Sequence, residues 1–291
     1  MRINNNITAL NSHRQYGINT VNIAKNVEKL SYGFRVNRAA DDAAGLAISE
    51  KMRAQIRGLN MASKNSQDAI SLVQTAEGGL QTIQNVLQRM RELAVQAASD
   101  TNTFEDRMQL QREVNQLVQE IDDIAESTQF NTMTLLTGVY SKNPNGKGPL
   151  TIQAGANEGE DMQIIIGTMS ALGLGVTGLS VSLAGATQTN NPGALLSQST
   201  ASKAITTIQI ALNSVSNLRA DLGAYQNRLE FKIANLDNQA ENLAAAESRI
   251  RDTDMAKMMT EFTKNNILFQ ASTAMLAQAN ALPQAMLQLL G

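Results

Sequence analysis

The sequence has no cysteine and no tryptophan, a single histidine, and aromatic residues at only 3% of its 291 positions. Without cysteine there is no disulfide framework, thiolate metal site or thiol nucleophile. The lone histidine, His13, has no companion for a metal site or a catalytic dyad and is read as solvated. HExxH, the P-loop and the Gly-x-Ser-x-Gly elbow are also missing, so the chain is read as not an enzyme and no cofactor is expected. Gly173-Leu174-Gly175-Val176-Thr177-Gly178 has the GxGxxG spacing, yet no strand leads into it. The next acid, Asp221, lies too far on for the ribose contact of a dinucleotide fold. A net charge of -2 supplies no basic field for nucleic acid. No apolar run approaches the length of a membrane span, so no membrane insertion is expected. MRINNNITALNS lacks the basic start and apolar core of a cleaved signal peptide.

What the sequence does have is heptads. Leu59, Ser66, Val73, Leu80, Leu87 and Ala94 recur at every seventh position, interleaved with Ala62, Ala69, Ala76, Ile83, Met90 and Ala97. This is a coiled-coil seam with one polar break at Ser66. In the C-terminal half Ile208, Val215, Leu222, Leu229, Leu236, Leu243 and Ile250 form a second seam. A shorter third, Leu110, Leu117 and Ile124 with Val114 and Ile121, suits a helix folding back on the first. The fold class expected is mainly α: an elongated antiparallel helical bundle or coiled coil, formed by the N- and C-terminal halves. Hydrophobic residues, at 43%, suffice for its core.

Between these seams, punctuation sets the elements. Asn4, Asn5 or Asn6 can cap a first helix whose apolar stripe of Ile3, Ile7, Leu10, Ile18, Val21, Val27 and Leu30 is thin. Gly33 breaks it, and Asp41 or Asp42 can cap the next. Gly78 and Gly79 are weak points or places of close helix approach. A turn over Ser99 to Thr103 precedes a helix from about Phe104 to Thr128. From Thr137 the composition shifts to Gly, Asn, Ser and Thr, with Pro144, Pro149, Pro192 and the turn signal Asn145-Gly146. Within it Leu150–Ala154 and Met162–Ile166 read as a β-hairpin, and Ser180 to Ser202 as a solvent-facing loop. The last segment continues at sevenfold spacing through Met255, Phe262, Phe269, Leu276 and Leu290, with Pro283 replacing one member.

The run Arg38-Ala39-Ala40-Asp41-Asp42-Ala43-Ala44-Gly45-Leu46-Ala47-Ile48-Ser49 resembles the N-terminal signature of bacterial flagellin. AESRIRDTDMA and the ending LAQANALPQAMLQLLG resemble its C-terminus, and LTIQAGANEGE its core hairpin. The likeness covers roughly residues 1 to 140 and 197 to 291. Tyr32 and Phe34 depart from it, standing where a small residue and a leucine are expected. The resemblance implies a structural subunit, exported and self-assembling into an extracellular flagellar filament for motility. A hook-filament junction protein, or another secreted coiled-coil protein, is the alternative. Implied partners are further copies of the chain, an export chaperone and the export apparatus, hook-filament junction and cap proteins, and the host flagellin-sensing Toll-like receptor.

Two divisions of the chain are expected. Residues 1–43 and 251–291 form a terminal helical assembly domain, disordered in the monomer because its stripes are thin. Residues 44–250 form a helical rod with the hairpin and a variable surface loop over about 138–196. Self-assembly is assigned to Ile3, Ile7, Leu10, Asp41, Asp42, Phe262, Phe269 and Leu276, and chaperone binding to Phe262, Phe269, Leu276, Leu282 and Leu287. By resemblance, receptor binding is carried over to Gln88, Arg89, Leu93, Gln96 and Glu113. Arg89, Leu93 and Gln96 follow at spacings of four and three on one helix and are expected to face a partner together.

Overall fold

The computed structural model describes residues 6–141, 147–180 and 195–290, the last nine of these by backbone alone. Its long elements are helices: α1 (Ile7–Tyr32), α2 (Ala43–Ala97), α3 (Phe104–Ser127), α4 (Gln198–Arg251) and α5 (Met255–Leu290). Two short antiparallel hairpins lie between α3 and α4: β1 (Gln129–Phe130) with β2 (Met133–Thr134), and β3 (Leu150–Gln153) with β4 (Asp161–Ile164). The second is the hairpin expected from the sequence, with Leu150 opposite Ile164 and Gln153 opposite Asp161.

The chain divides into two compact units, residues 58–239 and residues 1–57 with 240–291. The division falls further in from both ends than the expected 43/44 and 250/251, so α2 and α4 each give residues to both units. In the 58–239 unit, Val73, Leu80, Ile83, Leu87 and Met90 of α2 share one core with Val114 and Ile121 of α3 and Ile208, Val215, Leu222 and Leu229 of α4. All three seams are therefore used. The helices run antiparallel: Arg89 and Ala97 of α2 meet Glu113 and Arg107 of α3, and Ser63 and Gln84 of α2 meet Asp237 and Arg219 of α4. Ser66, the polar break, is fully buried and bonds the Ala62 carbonyl at 2.8 Å, so the seam tolerates it without an orphaned hydroxyl.

Local chemistry explains the boundaries. Asn6 caps α1 by accepting from the Ala9 N–H, and Gly33 ends the helix at φ 73°, where a side chain would be strained. Thr103 and Asp106 form a reciprocal capping box on α3. α2 passes unbroken through Gly78 and Gly79, but the two glycines differ. A Cβ at Gly79 would lie 2.6 Å from Thr128 Oγ1 and 3.0 Å from Leu136 Cδ1, whereas Gly78 faces open space.

Two expectations for the middle segment are corrected. Rather than a surface loop, residues 147–180 lie over the core and bury Ile164, Ile166, Ala171, Leu174, Val176 and Leu179. The polar run to Ser202 is already helical from Gln198, its hydroxyls near the start serving the backbone: the Ser197 N–H donates to Thr200 Oγ1 and the Thr200 N–H to Ser197 Oγ. Asn145-Gly146 and Pro192 lie outside the described residues. GxGxxG here leads into a single turn, Thr177–Leu179, not a helix start that could hold a phosphate.

Candidate functional site

Two surfaces contain the residues singled out by sequence. On the 58–239 unit, α2 and α3 present Arg89 between two carboxylates. Its Nε donates to Glu113 Oε1 at 2.8 Å, and its Nη1 to Glu92 Oε2 at 3.1 Å. These bonds hold the guanidinium in its charged form even more firmly than usual, the Glu113 hydrogen bond contributing most. Gln88 and Gln96 are exposed on the same helix and, with Arg91, Glu92 and Val95, line an open groove.

Leu93 does not join them: it is 1% exposed and packed in the core with Met90, Ala94 and Ala97. The reason is that α2 buries more than its first seam, Leu72 being off that seam and buried as well. Lying off the first seam therefore does not put a residue on the surface. Arg89 is brought to Glu113, Gln88 and Gln96 line the groove on the same helix, and Leu93 is buried.

The other surface belongs to the terminal unit, where α1 and α5 pair antiparallel. Asn6 Nδ2 donates to the Ala279 carbonyl at 2.7 Å, and Asn19 Nδ2 to Ser272 Oγ at 2.7 Å. The rings of Tyr16 and Phe269 lie 5.1 Å apart between them. Asn26 is buried further along, its amide nitrogen without a partner. The face that α1 turns to α5 is thus largely polar. Its apolar stripe looks the other way, with Ile7 69% and Leu10 67% exposed and Ile18, Val21 and Val27 about half so.

On α5 the sequence expectation divides. Phe262, Phe269 and Leu276 are half-buried, whereas Met255, Met259, Ile267, Leu268 and Met275 carry the exposed apolar surface. Of these, the sevenfold spacing included only Met255; sequence reading missed Met259, Ile267, Leu268 and Met275, which lie off that series. Ile3 lies outside the described residues, as do the side chains of Leu282 and Leu287.

Asp41 and Asp42 are occupied locally. Asp41 Oδ2 accepts the Arg38 and Asn37 N–H groups, and the Arg38 bond contributes most to holding its pKa below the ordinary value. Asp42 accepts from the Gly45 N–H and packs so close that a Cβ at Gly45 would collide with its carboxylate. The two acids fold the turn that sends the chain from α1 into α2.

Sequence analysis also gave no sign of Gln111. This side chain is fully buried on α3; its Nε2 donates to the Leu179 carbonyl at 2.6 Å and its Oε1 accepts from the Leu195 N–H at 2.7 Å. One amide thereby ties together two points 16 residues apart in the chain. Among the described residues there is no cluster of groups that could hold a metal ion, and no helix long and apolar enough to cross a membrane.

Comparison with known proteins bears on both surfaces. Residues 3–141 match the family model of the bacterial flagellin N-terminal helical region, and residues 205–290 that of the bacterial flagellin C-terminal helical region. The chain is 52% identical over 290 residues to a flagellin of Halalkalibacterium halodurans, with the whole of both chains covered. It is similarly 51% identical over 304 residues to a flagellin of Bacillus subtilis. To flagellin FlaB1 of Treponema pallidum it is 48% identical over 294 residues, again with full coverage of both.

Proposed function

The chain belongs to the bacterial flagellin family, and from that premise we propose how its two surfaces work in a filament of identical copies. It is a structural subunit, polymerising with itself, and its terminal unit makes the contacts between copies. The observation that carries this reading is the inverted burial of α1: polar Asn6 and Asn19 bond α5 and Asn26 is buried, while Ile7, Leu10, Ile18 and Val21 stay bare. A pair of helices that leaves its apolar stripes outside gains most of its hydrophobic burial from neighbours. The helices of these two ends, α1 and α5, are accordingly disordered in the free monomer beyond the turn that joins them to α2 and α4, and they order as subunits stack, which makes growth cooperative.

Seeded elongation followed by electron microscopy tests it. Full-length monomers extend filament fragments into long uniform polymers, whereas chains lacking residues 1–43 or 251–291 do not. Truncated chains that elongate normally would overturn the reading. A hook-filament junction role would show itself as short polymers or none from the full chain.

Before assembly the chain is exported through the flagellar secretion channel, and a chaperone covers the apolar surface of α5. The exposed side chains Met255, Met259, Ile267, Leu268 and Met275 support this, since they would otherwise promote premature association. Deleting residues 251–291 abolishes chaperone binding in calorimetry; unchanged affinity would place the chaperone elsewhere.

A second reading concerns host sensing. The Arg89–Glu113 pair with Gln88 and Gln96 forms an exposed, rigidly held polar surface on the monomer, suited to a Toll-like receptor that senses flagellin. Monomers activating receptor-bearing cells support it, and monomers that bind receptor no better than an unrelated helical protein refute it.

A further inference from the structure

Phe34, one of the two residues that depart from the family pattern, lies at the root of the terminal helix pair beside two guanidinium groups. Those of Arg251 and Arg53 are 4.7 Å and 5.8 Å from its ring centroid. Each arginine also meets an acid on the other helix. Arg251 of α4 bonds Glu50 of α2 at 2.6 Å, and Arg53 of α2 pairs with Glu247 of α4 at 3.4 Å. The four charges thus form a square whose two shorter pairs run from helix to helix.

The square carries a second solution. Arg251 Nε and Glu247 Oε1 are both buried without a hydrogen-bond partner, and the two residues are four apart on α4. That is the spacing at which a glutamate pairs with a following cation on one helix turn. Arg53 and Glu50, three apart on α2, already approach to 3.9 Å. A change of rotamers therefore replaces two pairs between helices by two pairs within helices, with no charge left alone.

We infer that Glu50, Arg53, Glu247 and Arg251 form an ion-pair exchange clasp, covered by the Phe34 ring, that holds the root of the α1–α5 pair in either of two arrangements. The aromatic face suits both, because it attracts a guanidinium whichever carboxylate that guanidinium meets. The clasp reaches the helix pair through the backbone. The Arg251 carbonyl accepts from the Arg35 N–H at 2.7 Å, and the Thr253 N–H donates to the Gly33 carbonyl at 3.0 Å. Arg35 itself caps the Ile250 carbonyl at 2.6 Å. With the helices locked together the root is fixed to α2; with each pair inside its own helix it is released from α2 without an unpaired charge.

The test is a carboxylate titration of the free full-length chain, following Glu50 and Glu247 by side-chain NMR in wild type, Glu50→Gln and Glu247→Gln. In the exchange clasp, removing Glu50 frees Arg251 for Glu247, whose titration then moves to lower pH than in wild type. Removing Glu247 likewise frees Arg53 and lowers further the titration of Glu50, which the Arg251 hydrogen bond already holds below the ordinary value. A Glu247 titration that stays in place or rises in Glu50→Gln overturns the exchange. Phe34→Leu weakens both responses, and Phe34→Tyr keeps them; equal responses in the two variants would remove the ring from the clasp. The readout is on monomers, so wild-type chains failing to extend filament seeds would overturn the filament reading and leave this result standing.

Discussion

Arg89 and Glu113 join α2 to α3 through a 2.8 Å hydrogen bond between Nε and Oε1, on the surface that the two helices share. Half of the arginine side chain remains exposed to solvent, so the pair stabilises the fold little and serves chiefly to fix the guanidinium in place. Arg89→Ala is expected to leave helix content and the urea midpoint almost unchanged while weakening receptor binding by about thirtyfold. Surface plasmon resonance on monomers measures this. Binding within a factor of two of wild type would reduce the surface to a solvated helix face.

Leu93→Ala should behave in the opposite way. With the side chain in the core, the truncation costs about 2–5 kcal/mol of stability. Any loss of receptor signalling would then follow the loss of folded protein. Urea denaturation of the variant, alongside binding measured at a temperature where it is still folded, separates the two effects.

The adjacent glycines of α2 give a paired prediction. Gly78→Ala adds a methyl group in open space and removes backbone freedom from the unfolded chain, raising stability by up to about 1 kcal/mol. Gly79→Ala gains the same propensity but presses on Thr128 and Leu136, at a cost of about 1–3 kcal/mol. Thermal melts should move in opposite directions, and a shared direction would mean that the loop after α3 yields easily.

Gln111→Leu removes the amide that serves both the Leu179 carbonyl and the Leu195 N–H. Each orphaned buried group costs about 1–3 kcal/mol. Hydrogen exchange at the Leu195 amide should accelerate more than at amides of the α2 core. Uniform acceleration would instead indicate a global loss of stability.

Asp106 is held below its ordinary pKa, first by the Thr103 hydroxyl and then by the Thr103 N–H. A depressed carboxylate stabilises the fold above its unfolded pKa, and the contribution is lost as pH falls through the lower folded value. The cap on α3 therefore weakens below about pH 4, where the unfolded carboxylate begins to bind its proton first. Asp106→Asn should flatten that acid limb of a urea-midpoint profile. An unchanged slope would show that other carboxylates dominate it.

Much of the molecule was legible in the sequence because its signals are local and periodic. Heptads at Leu80, Leu87, Leu222 and Leu229 mark helices that need one another, and Gly33, Asp42 and the hairpin strands mark the breaks. Motifs at both ends carried the family. What periodicity leaves open is which partner each stripe meets. Leu93 reads as a surface residue until α3 is laid on α2. Ile7 and Leu10 read only as part of a thin apolar stripe; that the stripe faces away from α5 emerges when Asn6 and Asn19 are found bonding that helix. Gln111 and the square of Glu50, Arg53, Glu247 and Arg251 join positions up to about two hundred residues apart. Their pairing is set by the packing of whole helices, and no local pattern encodes it. The sequence by itself determined the helices, their seams and the family; the tertiary structure decided which side of each helix is inside, because burial depends on two surfaces at once and a single stripe specifies only one of them.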